Sequence, residues 1–241
     1  MINKDVHTQH ISNKFNTEMN ELKSHVLEMG GMVEKQVHEA IQSLIEADSA
    51  LAEKVRQYDT TINNMEVSID EECAKILALR QPAASDLRLV ISVSKVNTDL
   101  ERIGDEAAKI ALQAIQLTEN GQLSKGYVEV RHIGDHVKKM VSEALDAFAR
   151  FDAESALEVA VKDKAVDLEY ASAMRELVTF MMEDPRSISR ALNVMWALRS
   201  LERIGDHARN IAEHVIYLTH GKDVRHQGIS RIAEHIGKPP E

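Results

Sequence analysis

The strongest constraint on this chain is that it writes one segment twice. LERIGDEAAKIALQAIQLT occupies residues 100–118, and LERIGDHARNIAEHVIYLT occupies 201–219. The repetition reaches well beyond these motifs. A shift of 104 residues aligns Val33 with Val137, Lys35 with Lys139, Val37 with Val141, Glu39 with Glu143 and Ala40 with Ala144. The same shift pairs Asp48 with Asp152, Ala52 with Ala156, Val55 with Val159 and Asp59 with Asp163. Beyond Pro82 and Pro185 the shift becomes 101, aligning Leu100 to Asp105 with Leu201 to Asp206, Ile110 with Ile211 and Thr118 with Thr219. The chain must therefore build one structural unit twice.

Helix breakers divide each unit in three. Asp48-Ser49, Gln81-Pro82, Asn120-Gly121, Asp152 and Asp184-Pro185 mark turns, while the Gly30-Gly31 pair falls inside a long periodic stretch that it only bends. The spacing predicts helices over 9–46, 50–79, 84–119, 124–150, 154–182 and 187–220. In the second, Leu51, Val55, Tyr58, Ile62, Met65, Ile69 and Ile76 recur at three- and four-residue steps. In the third, Leu89, Val93, Val96, Leu100, Ile103, Ala107, Ile110 and Ala114 do the same. Four prolines and few aromatics, against abundant Ala, Leu, Glu, Lys and Ile, agree with an all-helical chain. The expected fold is all-α, two tandem pseudo-symmetric three-helix bundles with antiparallel neighbours. The first repeat spans 9–120 and the second 121–221, with a flexible N-terminus at 1–8 and a loosely held tail at 222–241.

Charge points to the site. Glu101 and Asp105 lie four residues apart on one helix face, as do Glu202 and Asp206. At 100° per residue both pairs lie far from the centre of the apolar stripe, which predicts an outward, acidic face. The second helix of each copy adds acids beside its own stripe. These are Asp59, Glu66 and Asp70, with Asn63 between them, in the first copy, and Asp163 with Asp167 in the second. Like charges at this spacing destabilise a helix by about 0.2–0.5 kcal/mol per pair, so repeated pairs call for a cation. Arg102, Lys109, Arg203 and Arg209 can supply it as solvated ion pairs, or a metal can be held by oxygens from two helices. The ion-pair reading is ordinary for one isolated pair, and retention of both acids in two copies favours the metal. Gly104 and Gly205 each cost roughly 1 kcal/mol relative to alanine in a helix interior, so another surface is expected to approach there.

The duplicated unit, the LERIGD segment on each third helix, MGGMVE in the first helix, RQPAASDLR after the second and MMED before the sixth resemble the PhoU family. The resemblance spans residues 9–220. It implies a cytoplasmic, non-enzymatic negative regulator of the phosphate-starvation regulon. Such a protein bridges the ATPase subunit of the phosphate ABC transporter and a phosphate-sensing histidine kinase, and restrains phosphate uptake. It also implies a homodimer and metal binding through acid-x-x-x-Asp motifs, which match here at Glu101/Asp105, Asp163/Asp167 and Glu202/Asp206. Asp59 is followed by Asn63 where the second copy has Asp167, which leaves the first site one charge weaker. Oxygen-only ligands suit magnesium, manganese or iron better than zinc or nickel.

Other features bound the function further. A formal net charge of −10 and the lack of a Lys/Arg-dense run speak against nucleic acid. No apolar run is long enough to span a membrane, and the N-terminus has no apolar core of the kind a secretory signal needs. A single cysteine, Cys73, reads as a buried, inert thiol. His132 and His136 share a face of the fourth helix, where Glu129 completes a Glu-x-x-His, and read by default as solvent-exposed helix residues. A di-metal carboxylate oxidase, the alternative function, uses two such motifs on facing helices. His207, beside Asp206, is either a nitrogen ligand in the second copy or a residue facing water.

Overall fold

Both repeats turn their first corner with the same device. Ala47 and Phe151 adopt left-handed backbone, with φ of 55° and 54°, and an aspartate then caps the next helix. Asp48 accepts a hydrogen bond from the Leu51 amide at 2.9 Å, and Asp152 accepts from the Glu154 and Ser155 amides at 3.0 and 3.2 Å. These carboxylates satisfy amide donors that a helix start leaves unpaired. In this computed structural model, which describes residues 13–120 and 127–224, the helices are α1 (Asn13–Glu46), α2 (Ser49–Arg80), α3 (Ala84–Asn120), α4 (Tyr127–Arg150), α5 (Ala153–Glu183) and α6 (Ile188–His220). Pro185–Ser187 form a single 3₁₀ turn before α6, initiated by Asp184, which accepts from the Arg186 amide. The expected N-terminal segment 1–8 lies outside the described residues. Of the expected tail, residues 222–224 are described, and Val224 is buried.

The structure is two tandem three-helix bundles. Within each repeat, short turns make consecutive helices antiparallel neighbours, and the bundles join along α3 against α6, reinforced by α1 against α4. All eight predicted stripe residues of α3, from Leu89 to Ala114, are buried. On α2 the stripe buries Val55, Ile62, Ile69 and Ile76. Cys73 is buried among them, and desolvation, with Asp70 and Glu72 nearby, pushes its thiol up to about 12, which makes it unreactive.

Gly30 does not break α1, which runs through it unbroken. It lets α4 approach, since a Cβ there would come within 2.6 Å of Leu145 Cδ2. Its repeat equivalent, Gly134, faces Ile41 with a Cβ distance of 3.1 Å. The α1–α4 crossing is thus quasi-symmetric, each helix offering a bare position to the other's side chain. Among the described residues no helix is long and apolar enough to cross a membrane.

Candidate cation-binding faces

In the first repeat, α3 carries Glu101 and Asp105 towards α2, which carries Asp59, Asn63 and Glu66. Gly104 sits buried at this contact. A Cβ there would lie 2.9 Å from Gln36 Oε1 and 3.5 Å from Asp59 Oδ1, so the missing side chain is what admits the Gln36 carboxamide. Gln36 in turn donates to Asp59 at 3.1 Å. Further along, Asn97 donates to the Glu66 carbonyl at 2.9 Å and to Asp70 at 3.2 Å, and Ser94 donates to Asp70 at 3.1 Å.

The first face is under-compensated. Burial, and then Asp105, Glu66 and Asp59, raise the Glu101 carboxyl above its ordinary range, against Arg102. Burial and Asp59 raise Asp105, against Lys109 and Arg203. Burial and Asp70 raise Glu66. Among the described residues, neither Glu101 nor Asp105 makes an ion pair or a hydrogen bond through its side chain. Lys109 and Arg203 are instead drawn to Glu106, at 3.0 and 3.2 Å. Three buried oxygens on or beside this face, Gln36 Oε1, Asn63 Oδ1 and Asn97 Oδ1, lack hydrogen-bond partners.

The second face carries the same acids in a different setting. Asp163 is buried and receives Arg209 Nη1 at 3.1 Å, while Arg209 Nε reaches Glu213 at 3.1 Å. Glu202 is held by Arg199 at 2.7 Å, although its other oxygen, Oε2, has no partner. Asp206 is half-buried and Asp167 exposed. Burial still raises all three of Asp163, Glu202 and Asp206, with neighbouring acids adding to it and the arginines opposing it. A Cβ on Gly205 would meet Val166 at 3.5 Å and Asp163 at 3.6 Å, which is ordinary contact.

Two expectations need correction. The acidic faces do not point away from the protein: each third helix contacts three other helices, so its polar side is an α2–α3 or α5–α6 contact, open only at its rim. His207 neither faces water nor joins the acids. It is buried at the α3–α6 seam, where its Nδ1 stands 2.9 Å from Asp99 Oδ1. Asp99 also receives Asn210 at 3.1 Å, and His214 Nε2 lies 3.2 Å from its Oδ2. Burial pushes Asp99 upward, yet the bonds from His207, His214 and Asn210 outweigh it and hold the carboxyl at about 2. The spacing of the acidic motifs gave no hint of Asp99, because its partners lie on a helix more than a hundred residues away.

The seven predicted acids stay in two sets, Glu101, Asp105 and Asp59 in one and Asp163, Asp167, Glu202 and Asp206 in the other. Among the described residues, the group whose ligand atoms close to within 4.8 Å is a different one, His132, His136 and Glu169. It pairs one helical histidine pair with one glutamate of α5, not two facing Glu-x-x-His motifs, so the oxidase reading finds no support.

Comparison with known proteins agrees with this architecture. A family model described as the PhoU domain matches residues 26–114 and again 130–215, one match per repeat. The chain is 67% identical over 236 residues to the phosphate-specific transport system accessory protein PhoU homolog of Pseudomonas aeruginosa, covering 98% of each chain. It is 45% identical over 220 residues to the accessory protein PhoU of Escherichia coli, covering 91% of each. The crystal structure of PhoU from Pseudomonas aeruginosa superposes with a TM-score of 0.85 at 68% identity, covering 86% of this chain and 100% of that one. The phosphate transport system regulatory protein PhoU from Streptococcus pneumoniae superposes with a TM-score of 0.81 at 34% identity, covering 87% and 99%. Two matched repeats, identity across nearly the whole length and a shared fold establish that the chain belongs to the PhoU family.

Proposed function

We propose that the protein is an accessory regulator of phosphate transport that represses the phosphate-starvation regulon when phosphate is plentiful. The observation that carries this is the 67% identity over 98% of both chains to an accessory protein of the phosphate-specific transport system. In this reading it acts without catalysis, in the cytoplasm and as a homodimer. It bridges the ATPase subunit of the phosphate ABC transporter and a phosphate-sensing histidine kinase. The test is deletion of its gene followed by assay of alkaline phosphatase in high phosphate. Derepression that the intact gene reverses is expected; continued repression overturns the proposal.

Metal binding by the acidic faces is part of the same reading. The first face fits a hard cation: Glu101 and Asp105 are raised by burial and by nearby acids including Asp59 without a bonded base, and the orphaned Gln36 and Asn63 oxygens add neutral donors. Glu202, Asp206, Asp163 and Asp167 would hold an ion in the second repeat only in competition with Arg199 and Arg209. A magnesium, manganese or iron ion would supply positive charge that ties the second and third helices of a repeat together. Elemental analysis of protein purified without chelator tests this. Bound metal that is lost on Glu101→Gln with Asp105→Asn supports it, and metal-free wild-type protein sinks it.

A further inference from the structure

A separate constellation stands between α4 and α5, the second repeat's first two helices. His132 and His136, four residues apart on α4, have ring centroids 4.7 Å apart with planes tilted by 46°. Glu169 reaches them from α5, its Oε2 lying 3.1 Å from Nδ1 of His136 and 3.5 Å from Nδ1 of His132. One ligand atom from each of the three residues falls within 4.8 Å of the other two.

The separations of 3.1 and 3.5 Å between Glu169 and the two rings are close to those an ion would impose. A tetrahedral metal bound at about 2.0–2.1 Å sets its ligand atoms roughly 3.3 Å apart. Glu169 Oε2 is also shut off from solvent and has no hydrogen-bond partner, even with two ring nitrogens beside it. A hydrogen bond runs along the line from nitrogen to oxygen, whereas a tetrahedral metal shared by the two atoms draws each lone pair off that line by about 35°. Close nitrogens that fail to bond a buried carboxylate oxygen therefore leave it unsatisfied in the way a metal would relieve.

The geometry points to a binding site for zinc or a similar late first-row divalent ion, formed by His132, His136 and Glu169. Two imidazoles and one carboxylate favour zinc, cobalt, nickel or copper(II) over magnesium, in contrast to the all-oxygen acidic faces. His132 is 65% exposed, so a fourth coordination position opens toward solvent for water or an anion. The site belongs to the second repeat alone, because the shift of 104 places Glu28, Met32 and Met65 at the equivalent positions. Occupancy would tie α4 to α5 across their exposed edge.

Full-length protein stripped of metal and titrated with cobalt(II) tests the site, since tetrahedral cobalt absorbs visible light strongly. One equivalent is expected to produce the band and one equivalent of zinc to remove it. Glu169→Gln, His136→Ala and the exposed His132→Ala should each abolish the band while circular dichroism stays helical. Glu101→Gln with Asp105→Asn should leave it intact. A wild-type protein without the band, a band that survives all three ligand variants, or one lost only with the acidic pair overturns the site.

Discussion

The two acidic faces share a motif and differ in what neutralises it. At the α5–α6 face, Arg199 and Arg209 hold Glu202 and Asp163 directly. The shift of 101 places Thr98 and Ala108 at the corresponding positions of α3, so the α2–α3 face has no such bases. It carries Glu66 besides, where the second repeat has Tyr170. Asn63 alone suggested that the first face is the weaker one. The flanking positions argue the other way, because Glu101 and Asp105 of the first repeat have no base bonded to them while Glu202 and Asp163 of the second are already held by arginines. A repeated motif fixes where the carboxylates stand, and its neighbours decide whether a cation is still wanted.

Breaking the second face at its arginine should have the largest effect. Arg209→Met leaves Asp163 buried and charged without its base, costing about 3 kcal/mol, or roughly 6–12 °C in melting temperature by calorimetry. Ala108→Arg, which gives the first face the missing base, should not destabilise and should weaken any hard-metal binding there. A melting loss from Ala108→Arg as large as that of Arg209→Met would erase the contrast.

The next effect lies where the repeats meet. Asp99 stands at about 2 in the folded protein, below its ordinary 3.8, so its contribution is fully present above 3.8 and lost as the pH falls through about 2. The shift corresponds to about 2 kcal/mol. Asp99→Asn should lower stability by that order at neutral pH, and chemical denaturation should show the gap to wild type closing towards pH 2. A gap that does not change with acid would remove the carboxylate from the account.

Smaller changes sharpen the comparison further. Gly205→Ala, with only ordinary contacts waiting for its Cβ, should gain about 0.5–1 kcal/mol. Gly104→Ala should gain less or nothing, because its Cβ displaces the Gln36 amide that holds Asp59. A small gain is also expected from Glu101→Gln with Asp105→Asn in metal-free protein. Carboxyls raised by folding favour the native state most below their ordinary range, and that benefit is lost as the pH rises through their folded values. Removing the charges should therefore raise the melting temperature at pH 7 by about 0.4–2 °C, from about 0.2–0.5 kcal/mol of relieved repulsion. Glu202→Gln with Asp206→Asn should gain less, since Arg199 loses its partner.

Apolar periodicity carried most of the fold, as the eight-residue α3 stripe shows, and Asp48 and Asp152 announced their corners as helix caps. The site was half visible. Acids at four-residue spacing were plain, but a helical wheel assumes one buried face, and α3 and α6 have several. Asn97, Asp99, Glu106, His207 and His214 are all buried on sides that a single stripe leaves to solvent. Asn97 is set by its bonds to α2 and the others by pairing across the α3–α6 seam, neither of which local sequence encodes.

That seam also fixes the order of the halves. Asp99 and Glu106 of α3 meet His207 and Arg203 of α6, and the repeat equivalents of Asp99 and His207 are Ser200 and Glu106. Two first repeats placed face to face would set Asp99 against a glutamate where His207 now stands. Two second repeats would leave the histidine pair opposite a serine, with no carboxylate to bond. Duplication supplied two copies of one bundle, and divergence at these few positions makes their facing α3 and α6 surfaces complementary to each other.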